Sequence, residues 1–178
     1  MPEGAARAQR TAIARLGRAL AAIACALACT SAFAQGARIP ADAVDAFHRA
    51  LKDKDTAAAL SLLDRELVVF EFGVVDPTAE AYAFQHLPLD IDAAAISTWT
   101  IQTRRVGGEG DIRWVLTTYR VTGKQPDGTP VDLTTLETMI LRRNSGLFRI
   151  VHMHWSTNDA KFQAQSQKAR ATGAAPAK

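Results

Sequence analysis

Cysteine is nearly missing from this chain. Of its 178 residues only Cys25 and Cys29 are cysteine, and both fall within the first 34. A disulfide-dense scaffold is therefore excluded. No run of eighteen or more strongly apolar residues exists, which excludes a polytopic membrane protein. A surplus of one charge is also missing once the chain is divided. The whole sequence carries +3, but residues 35–178 hold 17 basic and 17 acidic side chains. The surplus lies in Arg7, Arg10, Arg15 and Arg18, set against Glu3 alone. A neutral domain with no basic aromatic motif is not built for nucleic acid. H-x-x-x-H, C-x-x-C and H-E-x-x-H patterns are absent as well, so no metal and no cofactor is expected. What is present is ordinary: 48% hydrophobic and 22% charged residues, the composition of one globular domain.

Residues 1–34 read as a secretory signal peptide. Four arginines precede a short apolar stretch, Ala19 to Cys29, which ends in Ser31-Ala32-Phe33-Ala34 before Gln35. Ala32 and Ala34 supply the two small residues that signal peptidase needs, so cleavage is expected after Ala34. The product has 144 of the 178 residues, no cysteine and no membrane segment, and its expected location is the periplasm or the exterior. A core alone can hold a chain of that size.

Residues 35–39 read as a linker, 40–158 as one domain and 159–178 as a polar, Ala-rich disordered tail. Pro40 to Asp53 has Val44, Phe47 and Leu51 on one face, the spacing of a helix. Asp55 or Thr56 caps a second helix. Leu67 to Phe72 favours a short strand. Gly73 and Pro77 break it, and Thr78 to His86 reads as a third helix that Pro88 ends. The second half alternates strand and turn: Ser97 to Val106, Ile112 to Thr122, Val131 to Arg143 and Leu147 to Ser156. Helices followed by an antiparallel meander define an α+β fold. The long twisted sheet must curl, giving a cone closed on its concave side by the N-terminal helices. A pocket in its open end suits a small, mostly apolar molecule.

His152 and His154 are the sharpest candidates. At i and i+2 of a strand both imidazoles leave the same face, with Cβ atoms roughly 7 Å apart from two steps of about 3.3 Å. Strict alternation puts Phe148 and Ile150 on that face too, and Met153 and Trp155 on the other. The alternative is a structural pair bonding neighbouring strands. Glu71 sits among Val68, Val69, Phe70 and Phe72, where a carboxylate gains basicity and accepts a proton. Its alternative is a salt bridge to Arg104 or Arg120. Tyr82 and His86 share a helix face and offer a hydroxyl donor and a proton shuttle. Glu137, mid-strand beside Met139 and Leu141, needs a partner such as Arg149 or a histidine. Trp99 and Trp114 are expected in the pocket wall, and His48 on the first helix reads as structural. A metal set of His152, His154 and Glu71 ranks below an organic ligand.

Three stretches carry a family resemblance: Glu137-Thr138-Met139-Ile140-Leu141-Arg142-Arg143, then Phe148-Arg149-Ile150-Val151-His152-Met153-His154-Trp155-Ser156, and Phe70-Glu71-Phe72-Gly73 with Tyr82 and His86-Leu87-Pro88. With the element order, they make residues 41–157 resemble the nuclear transport factor 2-like superfamily, in its SnoaL-like branch. The resemblance implies a cone-shaped α+β barrel with a pocket and a tendency to homodimerise through the outer sheet face. The superfamily hosts isomerases, dehydratases, cyclases and binding proteins, so fold alone does not assign a reaction. Likeness to its ketosteroid isomerases implies Glu71 as a general base. It also implies a tyrosine where this chain has Phe47, which has no donor for an oxyanion.

Overall fold

The computed structural model describes residues 37–125, 127–160 and 164. The expected signal peptide, the start of the expected linker and most of the expected tail lie outside the described residues. Helix α1 spans Pro40–Lys52. Proline opens it at a position whose N–H has no intrahelical partner, and Arg49 and Lys52 complement the dipole in its last turn. Helix α2, Thr56–Ser61, is capped by Asp55, whose carboxylate accepts from the Ala58 N–H at 2.9 Å. Strand β1, Leu63–Glu71, turns through Phe72 and Gly73 into β2, Val74–Asp76. Both turn residues have positive φ, 46° and 86°, as a two-residue hairpin turn requires. Helices α3, Ala79–Gln85, and α4, Leu87–Ile96, follow. The meander is β3 (Ser97–Gly107), β4 (Ile112–Lys124), β5 (Pro130–Asn144) and β6 (Leu147–Thr157).

The α+β reading holds, with three corrections. Pro88 does not end a helix; it stands in the first turn of α4, where its missing N–H costs nothing. Strand β1 starts at Leu63, four residues before Leu67. The sheet is not antiparallel throughout: its order is β2-β1-β6-β5-β4-β3, and β1 runs parallel to β6. The six strands form a curled, unclosed sheet. Among the described residues no helix is long and apolar enough to cross a membrane.

Two bulges set which side chains face inward. One extra residue, Gln102, interrupts the β3–β4 ladder, and one extra residue, Val151, interrupts β5–β6. Each moves every later side chain of its strand to the opposite face. Phe148 and Ile150 are therefore buried, and so are Met153, Trp155 and Thr157 beyond the bulge.

The inner face is layered by the resulting register. Val69, Met153, Met139, Val115 and Val106 form one apolar row across β1, β6, β5, β4 and β3. The next row is polar: Glu71, Trp155, Glu137, Thr117 and Arg104. Beyond it lie Thr157, Thr135, Tyr119 and Ile101, then Leu133, Val121 and Trp99. Helix α1 covers β4 and β6, burying Ala43, Val44, Phe47, Ala50 and Leu51.

Candidate functional site

A polar row inside an apolar core is costly unless every group in it finds a partner. Helix α1 supplies the partners. Asp45, His48 and Lys52 follow one another at i, i+3 and i+7, a stripe beside the buried apolar one. Lys52 Nζ donates to the carbonyls of Ala94 and Ser97, at 3.0 and 2.8 Å, which fixes α1 against the start of β3. His48 Nε2 lies 2.6 Å from Glu137 Oε2. Asp45 Oδ1 accepts from Arg104 Nη1 at 2.8 Å.

Glu137 is the centre of this arrangement. Its side chain is fully buried, yet it receives three bonds. Besides His48, Trp155 Nε1 donates to Oε2 at 2.8 Å and the Tyr119 hydroxyl donates to Oε1 at 3.3 Å. Burial pushes this carboxyl up, but the His48 charge and hydrogen bond, Trp155 and Arg104 outweigh it, so Glu137 lies below the usual carboxylate range. Tyr119 is shifted the other way, upward, by burial and by the Glu137 charge, so it stays a phenol and a donor. Arg104 Nη2 donates to the Tyr119 oxygen at 3.0 Å and its Nε to Thr117 Oγ1 at 3.2 Å. One chain of hydrogen bonds thus runs from Asp45 through Arg104 and Tyr119 to Glu137, His48 and Trp155.

Aromatic rings surround that chain. The His48 ring centroid is 5.3 Å from Trp99, 5.2 Å from Tyr119 and 6.3 Å from Trp155. Trp99 meets Tyr119 edge-on at 5.3 Å. The centre is buried, but its rim is not. The His48 side chain is 18% exposed, Asp45 40%, and Ile101 and Trp99 also reach solvent. These partly exposed groups lie where α1 faces the edge strand β3, so the hydrogen-bonded chain reaches solvent there.

A second cluster occupies the corner made by β1, β2, α3 and α4. The Tyr82 hydroxyl donates to Asp90 Oδ2 at 2.8 Å. Burial first, then the charges of Asp90, Glu71 and Asp76, push Tyr82 well above the ordinary phenol range. His86 Nδ1 hydrogen-bonds Asp76 Oδ2, and both side chains are almost completely buried. Asp76 Oδ1 is buried with no hydrogen-bond partner among the described residues. A carboxylate on Nδ1 fixes the orientation of the His86 ring.

The expected residues thus fall into three places. Glu71, Tyr82 and His86 converge on the second cluster, and Glu137 and Trp99 on the first. Glu71 and Glu137 flank Trp155, about 10 Å apart at the backbone over two inter-strand spacings. His152, His154 and Trp114 correct the sequence reading, because they lie on the outer face. His154 is exposed, His152 is half-buried, and both rings lie edge-on to Phe70, at 6.5 and 5.0 Å. The Val151 bulge is the reason: alternation counted from Phe148 and Ile150 carries the pair inward, and the extra residue turns it out. A shared hollow for Glu71 and the two histidines is not formed, and a metal set of the three cannot close across the sheet. Partial burial holds His152 below the ordinary imidazole range, against the bond from its Nδ1 to the Val68 carbonyl at 2.9 Å. The Trp114 ring covers Gly107, where a Cβ would come within 2.2 Å of it.

Other expected partners also differ. Arg104 pairs with Asp45 rather than Glu71, and Arg120 with Asp132 at 2.7 Å. Glu137 takes a histidine, as one option had it, but from α1. Arg149 instead donates to the Ser61 carbonyl. Asp45, His48, Tyr119, Asp76 and Asp90 were not singled out as site residues. The readable signal was the Asp45, His48, Lys52 spacing beside the apolar stripe. An open groove of about 530 Å³, lined by Asp64, Arg65, Glu66, Arg142 and Arg149, lies elsewhere. Both of its carboxylates are taken by Arg142, which forks to Asp64 at 2.8 Å and Glu66 at 2.9 Å.

Comparison with known proteins places this geometry. A family model described as the SnoaL-like domain matches residues 41–160. A candidate ketosteroid isomerase from Shewanella frigidimarina is 28% identical, with a TM-score of 0.62 over 65% of this chain and 92% of that one. A candidate dehydratase of the nuclear transport factor 2-like family from Streptomyces avermitilis is 18% identical (TM-score 0.55, 66% and 93% covered). The association domain of a C. elegans calcium/calmodulin-dependent protein kinase II is 20% identical (TM-score 0.54, 64% and 89% covered). These last two share the fold alone. No curated protein matches the sequence.

Proposed function

Because the chain belongs to the SnoaL-like domain family, we propose that it is a small-molecule-binding protein of the periplasm or the exterior, with its ligand seated between α1 and β3. One observation carries this reading. A fully buried carboxylate, Glu137, is held by three donors inside a ring of aromatic side chains whose rim is open to solvent. Aromatic walls with a few fixed polar groups are the usual composition of a ligand pocket. The arginine-led apolar segment ending at Ala34 supports the location. Native mass spectrometry of protein purified from its own periplasm tests both parts. The expected spectrum shows a chain beginning at Gln35 with a discrete bound mass, lost in Trp99→Ala. A bare chain in every preparation would remove the binding reading, and an uncleaved one the location.

Self-association is the second reading, supported by the outer face. Phe70, Leu116 and Leu136 are 45, 37 and 53% exposed there, beside Trp114 and Ile140. Apolar exposure concentrated on one face marks an interaction surface. Leu136→Glu places a charge in its middle, and it is expected to turn a dimer into a monomer in sedimentation velocity with the fold intact by circular dichroism. Wild-type protein that sediments as a monomer at every concentration would dispose of the idea.

A further inference from the structure

Arg104 is tied to the protein unevenly. Its Nε and Nη2 are anchored inward, to Thr117 and Tyr119, and its side chain is 85% buried by the complement of 15% exposure. Among the described residues its Nη1 bonds Asp45 alone, and Asp45 is the most exposed member of the hydrogen-bonded chain, at 40%. The cation is therefore fixed while its counter-charge sits at the surface of α1, where it can be solvated when released. Arg104 is joined to the aromatic group through Tyr119, whose ring lies 5.2 Å from His48 and 5.3 Å from Trp99. A guanidinium with two donors committed and one direction held by a replaceable carboxylate recognises another carboxylate with little rearrangement.

From this we infer that the ligand is an aromatic carboxylic acid: its carboxylate takes the place of Asp45 on Arg104 and its ring lies against Trp99, Tyr119 and His48. The inference rests on the binding function proposed above and adds the ligand's charge and ring. Releasing Asp45 costs little because it returns to water, whereas the neutral ligand of the same shape must leave the Arg104–Asp45 pair in place. Asp45 thus acts as an internal competitor that sets the affinity.

The probes are 2-naphthoate and the neutral 2-naphthalenemethanol, titrated into the full-length mature protein by tryptophan quenching and calorimetry. Naphthoate is expected to bind at least about tenfold more tightly than the alcohol, and less tightly as salt is raised. Asp45→Asn keeps an acceptor for Nη1 but removes the competing charge. It is expected to tighten naphthoate roughly fivefold or more and to leave the alcohol unchanged. Arg104→Lys, which cannot fork, is expected to lose the preference for the acid. Should that variant fail to fold, Asp45→Asn decides, since its side chain is exposed. Equal binding of acid and alcohol, or no gain in Asp45→Asn, would overturn the inference and leave the pocket standing. Binding of neither probe to wild type or Asp45→Asn would remove both.

Discussion

Replacing Glu137 by alanine is expected to cost the domain about 3–5 kcal/mol, the usual penalty for removing one partner of a buried charged network. The side chain is wholly buried, and its loss leaves His48 Nε2, Trp155 Nε1 and the Tyr119 hydroxyl without their acceptor in an apolar surround. Against a typical domain stability of about 5–15 kcal/mol, that is a large share. It corresponds to a melting temperature lower by roughly 10–15 °C for a domain of this size. Urea unfolding of wild type, Glu137→Ala and Glu137→Gln reads it directly. Glu137→Gln keeps one acceptor and is expected to fall between the two. A loss below about 1 kcal/mol in Glu137→Ala would mean that these three bonds do not form.

The same residue fixes a pH dependence. Its folded-state pKa lies below the ordinary 4.5. The folded state therefore releases the proton more readily than the unfolded chain, and stability from this group is fully present above about pH 4.5. It is lost as the pH falls through the folded-state value. Wild type is expected to weaken on that acid limb, and Glu137→Gln to lose this part of the slope. An unchanged slope would show that the carboxylate is not held as described.

His86→Ala is the second large effect, again about 3–5 kcal/mol. Asp76 is 1% exposed, and its Oδ1 already has no hydrogen-bond partner among the described residues, so removing the imidazole strips the other oxygen as well. The double variant Asp76→Ala/His86→Ala removes the stranded charge together with its cause. It is expected to be more stable than the sum of the two single losses predicts, by about 1 kcal/mol or more. Simple additivity in denaturant unfolding would mean that the two groups do not interact. Glu137 and Asp76 share one physical logic: each buried carboxylate faces an imidazole, His48 from α1 and His86 from the junction between α3 and α4.

Much of this molecule was legible one residue at a time. The stripe Val44, Phe47 and Leu51 announced α1, Asp55 its successor, and the turn at Asn144-Ser145-Gly146 the hairpin between β5 and β6. Glu71 stood out as a carboxylate among apolar neighbours, and Tyr82 and His86 as two polar rings four residues apart. The α+β order and the motifs around residues 137–156 were enough to reach the family.

Tertiary structure alone decided where those groups point and whom they meet. The bulge at Val151 reverses the faces of His152 and His154, and only the β5–β6 register reveals it with certainty. A trace was present in the sequence, since the buried pairs Phe148, Ile150 and Met153, Trp155 are out of step by one residue. Glu137 meets His48 across 89 residues of chain, and Arg104 meets Asp45 across 59. Composition and spacing report what a side chain can do and which local periodicity it obeys. Partner choice depends on register and on how a helix lies across a curled sheet, and both are settled by packing the whole chain at once.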